Sequence, residues 1–223
     1  MNKKGYVVFS TINILHYPKE DGGDYMKYFK KIEGEKVFIS PINHDDYEVF
    51  TKWKNDLEDV VMMGWDRVSY GVLMEKNNLE NIAKNPENYQ MCIVLKETEQ
   101  LIGYISLFDV DNINRTAKLG MQVGEKEYRG KGYGEEALEL ILSFAFKMLN
   151  INNVMLFVYE FNDKAINLYK KVGFKEIGRR RQAFYVNRVY FDEIFMDILS
   201  DEYKCKYLNN LPKKEVMVKP IGM

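Results

Sequence analysis

Between Glu127 and Ile141 the chain reads EYRGKGYGEEALELI, a basic glycine-rich turn running into an amphipathic helix pattern. Successive backbone N–H groups at a helix start, added to the positive end of the helix dipole, make a cradle for an anion. Gly130, Gly132 and Gly134 let the backbone approach a bulky phosphate and adopt positive φ, while Arg129 and Lys131 add charge at the rim. Spacing excludes two phosphate loops. A Walker-type loop needs Lys and then Ser or Thr after its last glycine, where this chain has Glu135 and Glu136. A dinucleotide fingerprint needs a glycine where Glu135 stands. Taken alone, the glycines suit a phosphate site and an unliganded helix start equally well.

Downstream stands a second pattern, NDKAINLYKKVGF, residues 162–174. Together the two stretches closely resemble the GNAT superfamily of acyl-CoA-dependent N-acetyltransferases. The later run GFKEIGRRRQAFYVNRVYFDEIFMDIL is similar to that superfamily's branch of ribosomal-protein and spermidine N-acetyltransferases. The resemblance covers Lys36 to Leu199 and implies an α/β (α+β) fold, a mixed, mostly antiparallel central sheet with helices on both faces. It implies that Arg129, Gly130, Lys131, Gly132, Tyr133 and Gly134 cradle the pyrophosphate of acetyl-CoA, with no metal. Met121, Gln122 and Val123 would line the pantetheine arm, on a strand bulged near Gly120 and Gly124 and splayed from its parallel neighbour. Asn162 would bond the same arm, Ala165 would permit close approach, Lys171 would assist at the phosphates, and Tyr169 would be the general acid for the departing thiolate.

Acetyl transfer to an amine needs a neutral nitrogen, a polarised thioester carbonyl and a proton for the thiolate. A strand N–H near Val123 suits the carbonyl. The base is not assigned: some members of the superfamily place a glutamate where this chain has Phe157, the direction of Glu160 is open, and Glu125, Asp109 and Asp111 read first as solvated strand ends. The expected acceptor is a primary amine: a protein N-terminus, a polyamine or another small amine. A non-catalytic acyl-CoA-binding or regulatory module on the same fold is the alternative.

The elements that must position these residues follow from periodicity. KVFISPI reads as a strand, Asn43 as the cap of a helix through HDDYEVFTKWKND, and a further helical region runs to Asn85, broken at Gly64 and Gly71. YQMCIVLKE and QLIGYISLFDV form a hairpin, TAKLGMQVGE completes a meander, and NVMLFVYE lies beyond a crossover helix and so is parallel to it. DKAINLYKKV is a short helix ended by Gly173, before two last strands. Tyr25 to Ile32 reads as helical and Tyr6 to Phe9 as a strand. Residues 1–34 are an expected appendage, 35–199 the acetyltransferase domain and 200–223 a tail.

With 32 basic and 33 acidic residues, the net charge of −1 gives no surface for coating nucleic acid. The acidic residues Asp45, Asp46, Glu48, Asp56, Glu58 and Asp59 read first as a solvated helical face, with a face that receives a polyamine as the alternative, and Arg179 to Arg181 alternate across a strand. Cys92, in an apolar run, and Cys205 fit neither a metal site nor a redox pair, and His16 and His44 are isolated. No apolar run spans a bilayer and no leader is evident, so a cytoplasmic enzyme is expected, with no membrane partner and a homodimer left open.

Overall fold

The computed structural model describes residues 26–64 and 67–212; the run Tyr6 to Phe9, His16 and Trp65 lie outside them. Among the described residues the chain forms an eight-stranded sheet with helices on both faces. The short strand β1 (Ile32–Glu33) and β2 (Val37–Pro41) form one edge. Of the helix expected over Tyr25 to Ile32, residues 26–31 show none. Burial overrides local propensity there: Tyr28 is 3% exposed, and its hydroxyl donates to Asp46 at 3.1–3.2 Å. Asn43 caps a 3-10 turn, and α1 (Tyr47–Lys54), α2 (Leu57–Met63) and α3 (Val72–Lys84) follow.

The meander is β3 (Tyr89–Leu95), β4 (Leu101–Asp111) and β5 (Thr116–Val123), all antiparallel. Helix α4 (Tyr133–Lys147) crosses to β6 (Asn153–Tyr159), which runs parallel to β5. After α5 (Asp163–Val172), the hairpin β7 (Lys175–Val186) and β8 (Val189–Leu199) completes the order β1-β2-β3-β4-β5-β6-β8-β7.

Strand alternation sorts the core into two layers. Val37, Ile39, Met91 and Ile93 join one cluster with Leu138, Ile141 and Leu142 of α4, and with Ile166 and Tyr169 of α5. Their neighbours Phe38, Cys92 and Val94 join the other, with Phe50 and Trp53 of α1 and Leu79 of α3. Cys92 is fully buried, as its apolar run predicts.

Two distant segments close on α4. The carboxylate of Glu136, in its first turn, accepts from the backbone N–H groups of Glu35 and Lys36 and from the Tyr207 hydroxyl. One turn on, Lys206 forms an ion pair with Glu139, and the Tyr203 hydroxyl donates to the Glu139 carbonyl at 3.0 Å.

Candidate active site

Strands β5 and β6 pair only over Thr116–Lys118 and Asn153–Met155. Beyond that point β5 stays paired to β4 as far as Val123, and β6 stays paired to β8 as far as Tyr159. Leu119 to Val123 therefore has a strand along one side only, and a wedge opens in the middle of the sheet. The expected splay is present. The bulge, however, lies on β4, between Phe108 and Asp111, where Asp109 takes φ 49°; β5 itself is regular from Lys118 to Val123. An extra residue on β4 bends the pair away from β6 without distorting β5.

The glycine-rich turn sits at the mouth of this wedge. Gly130 and Gly132 have φ of 72° and 87°, the left-handed region that side-chain-bearing residues avoid. Gly132 is the N-cap of α4, and no side chain among the described residues caps the helix, so its first N–H groups are left for an external acceptor. A Cβ on Gly134 would come within 3.3 Å of both Met121 and Val123, so the helix start lies directly on that face of β5. Lys131 is exposed, with its ammonium over the Tyr128 ring, and the Lys36 ammonium reaches the Lys131 carbonyl at 3.4 Å. These features fit a bound pyrophosphate: bare N–H groups, glycine backbone and two loose cations.

Arg129 is differently placed. Its guanidinium donates to both oxygens of Asp59 in α2, at 2.7 and 2.5 Å, and to the carbonyls of Val123 and Gly124 at 2.8 and 2.9 Å. The fork thus fastens the turn to the end of β5 and to α2.

Helix α5 brings the second motif alongside. The Asn162 side chain caps it, its Oδ1 accepting from the Ala165 N–H at 3.2 Å, while Gly173 ends it with φ 118°. Ala165 is half-buried against the core, and Lys171 pairs with Glu135, in the first turn of α4, at 2.6 Å. The Tyr169 ring is buried beside Phe174, with centroids 5.7 Å apart. Its hydroxyl has no hydrogen-bond partner among the described residues, and burial pushes its pKa up to about 12.

On the opposite face of β5 lie residues that the motifs do not mark. Gln122 is buried, its Nε2 donating to Asp59 at 3.5 Å. Gly124 lies under Trp53, whose ring a Cβ there would meet at 2.1 Å; the indole N–H donates to Glu125 at 3.0 Å. Burial raises the Glu125 pKa, but hydrogen bonds from Lys52 and Trp53 outweigh it and hold the group low. Glu193, 4% exposed, stands opposite Tyr159 in the β6–β8 register and pairs with Arg180 at 3.1 Å. Strand phase carried a signal for Glu193, which shares a strand face with Phe191 and Phe195. The acidic helical region divides: Asp46 and Asp59 are buried, whereas Asp45, Glu48 and Glu58 are exposed or half-buried. Glu160 accepts from the Asp192 N–H, and Asp109 pairs with Lys118 at the surface. Among the described residues no group of His, Cys, Asp and Glu could hold a metal, and no helix is long and apolar enough to cross a membrane.

Comparison with known proteins places these features in a family. A family model described as an acetyltransferase (GNAT) domain matches residues 36–175. The uncharacterized N-acetyltransferase YokL of a Bacillus subtilis prophage is 27% identical over 176 residues, covering 78% of this chain and 96% of its own. Spermidine N(1)-acetyltransferase of Escherichia coli is 26% identical over 171 residues, covering 77% and 90%. The crystal structure of spermidine N-acetyltransferase from Vibrio cholerae, in complex with CoA and spermine, superposes with a TM-score of 0.68. It shares 23% identity and covers 75% of this chain and 97% of that one, a likeness of fold.

Proposed function

The chain belongs to the GNAT acetyltransferase family, and on that footing we propose that it moves an acetyl group from acetyl-CoA to a primary amine, a polyamine or a peptide N-terminus. The observation that carries the reading is the wedge between β5 and β6, with the uncapped start of α4 at its mouth. The catalytic unit is drawn over residues 35–199. In it the backbone of Gly130 to Gly134, with Lys131 and Lys171, receives the pyrophosphate. The free edge of Met121, Gln122 and Val123 takes the pantetheine arm as an extra strand would be taken, with Asn162 and Ala165 along its other side. Arg129 contributes by holding the turn in shape. Acetyl-CoA supplies an activated thioester.

The acceptor nitrogen attacks the acetyl carbon, forming a C–N bond as the C–S bond breaks. The Tyr169 phenol gives its proton to the departing sulfur, and solvent takes the proton lost by the nitrogen and restores the phenol. A pKa of about 12 keeps Tyr169 protonated at neutral pH. The burial that raises the phenol also raises a thiol leaving into the same pocket, so the two acids stay comparable.

The test is release of free thiol from acetyl-CoA against a panel of polyamines, small amines and peptides, with calorimetric binding of coenzyme A in parallel. Thiol release with at least one amine is expected. Failure of both measurements overturns the reading, and binding without transfer would instead identify a non-catalytic acyl-CoA-binding module.

A further inference from the structure

Gln122 carries an unanswered hydrogen bond. Its two strand neighbours, Met121 and Val123, lie under the start of α4, so alternation sends its amide to the opposite face, where it is 7% exposed. There it meets Asp59, both of whose oxygens accept from the Arg129 fork, so the side chain faces the amide as an acceptor. Only the NH2 end of the amide can face such a group, which fixes the orientation: Nε2 toward Asp59, Oε1 away from it. Oε1 is buried and accepts no hydrogen bond among the described residues. An unpaired buried acceptor is a standing cost to the fold. It lies on the stretch of β5 that has lost its strand partner on one side, which is where reactants would meet.

We propose that the Gln122 Oε1 is the acceptor that takes an N–H of the incoming amine and sets it against the acetyl group. This rests on the amine acetyltransferase reading above. The amide suits the task better than an acid would. A carboxylate at that point would favour the ammonium form, which has no lone pair for attack. A neutral carbonyl holds either form and leaves the nitrogen free to lose its proton. The chain Arg129–Asp59–Gln122 also ties the orientation of this acceptor to the turn at the start of α4, so the cofactor loop and the amine position are set by one network.

Two substitutions test it: Gln122→Met, which keeps the length and removes the acceptor, and Gln122→Glu, which keeps the acceptor and adds charge. For Gln122→Met the KM for the amine is expected to rise by about tenfold or more. Coenzyme A affinity, measured by calorimetry on the protein without amine, should change little, because the pantetheine arm is taken by the backbone edge of β5, which the substitution keeps. The melting temperature of the ligand-free protein should hold or rise, because an unpaired buried acceptor has gone. For Gln122→Glu the acidic limb of the rate profile should move to higher pH. An unchanged amine KM overturns the proposal. So does a loss of coenzyme A affinity, which would give Oε1 to the pantetheine arm, or a clear fall in melting temperature, which would show it already satisfied within the protein. Absence of turnover in the unsubstituted enzyme would instead remove the acetyltransfer reading itself.

Discussion

On the face covered by α4 the buried side chains are mostly aliphatic: Val37, Ile39, Ile93, Ile102, Leu138, Leu140, Ile141 and Leu142 meet across the layer. The face covered by α1 and α3 is packed instead with Tyr28, Phe38, Phe50, Trp53 and Tyr104. Polar groups are buried on that side too. Lys54 and Glu75 pair at 2.7 Å, both almost wholly enclosed, and Tyr104 and Gln122 each keep a buried oxygen without a partner among the described residues. An aliphatic layer stabilises by shape and area alone. A layer containing buried ions and amides gains little net stability from them, but fixes where each polar atom points. The division concerns the sheet-facing layers alone, because α4 also buries Glu136, Glu139 and Ser143 where it meets the segments around Lys36 and Tyr203.

The largest expected effect that would sharpen this contrast is Leu140→Ala, in the aliphatic layer. It should cost about 2–5 kcal/mol in urea unfolding while leaving the KM for the amine unchanged in the folded fraction. A changed amine KM would mean that the two layers are not separable. Next comes Tyr169→Phe, expected to lower turnover by about 100-fold, near 2.7 kcal/mol, with coenzyme A affinity and stability nearly intact. Equal turnover in stopped-flow assays would take the phenol out of the mechanism. The smallest is Tyr104→Phe, on the aromatic side, which should change stability at neutral pH by about 1 kcal/mol or less, toward greater stability. Burial, and then the nearby Glu75, raise the Tyr104 pKa far above the ordinary phenol value. In the unfolded chain that phenol ionises near pH 10, whereas in the folded one it stays neutral. Its stabilising contribution is thus complete below about pH 10 and is lost as pH rises further. The Phe variant should show a shallower fall in stability through alkaline pH, and an identical slope would refute this assignment of Tyr104.

Much of this architecture was readable beforehand. The apolar period of α4, the cap at Asn162 and the end at Gly173 are local signals, and each element formed where its own residues ask for it. Residues 26–31 look helical by composition, yet they form no helix and Tyr28 is drawn under Asp46, a contact between segments that sequence does not relate. Asp59 shows the same limit. In a run of acidic helix residues it looks like its exposed neighbours, and only the arrival of Arg129 from 70 positions away makes it a buried anchor. The Arg129 fork reads as a phosphate ligand because its chemistry suits phosphate and carboxylate alike. Which of the two it meets depends on the register of β5 against α2.

Helix α4 also has a temporal meaning. Its first turn is held by Glu136 on the backbone of Glu35 and Lys36, and its second by Glu139 on Tyr203 and Lys206. A chain emerging from the ribosome presents the first of these partners long before the helix and the second only after β8. While synthesis proceeds, the helix therefore has one anchor and lacks the other. Docking of the segment around Tyr203 and Lys206 adds the second anchor, so the helix gains its full set of contacts only after β8 has been made.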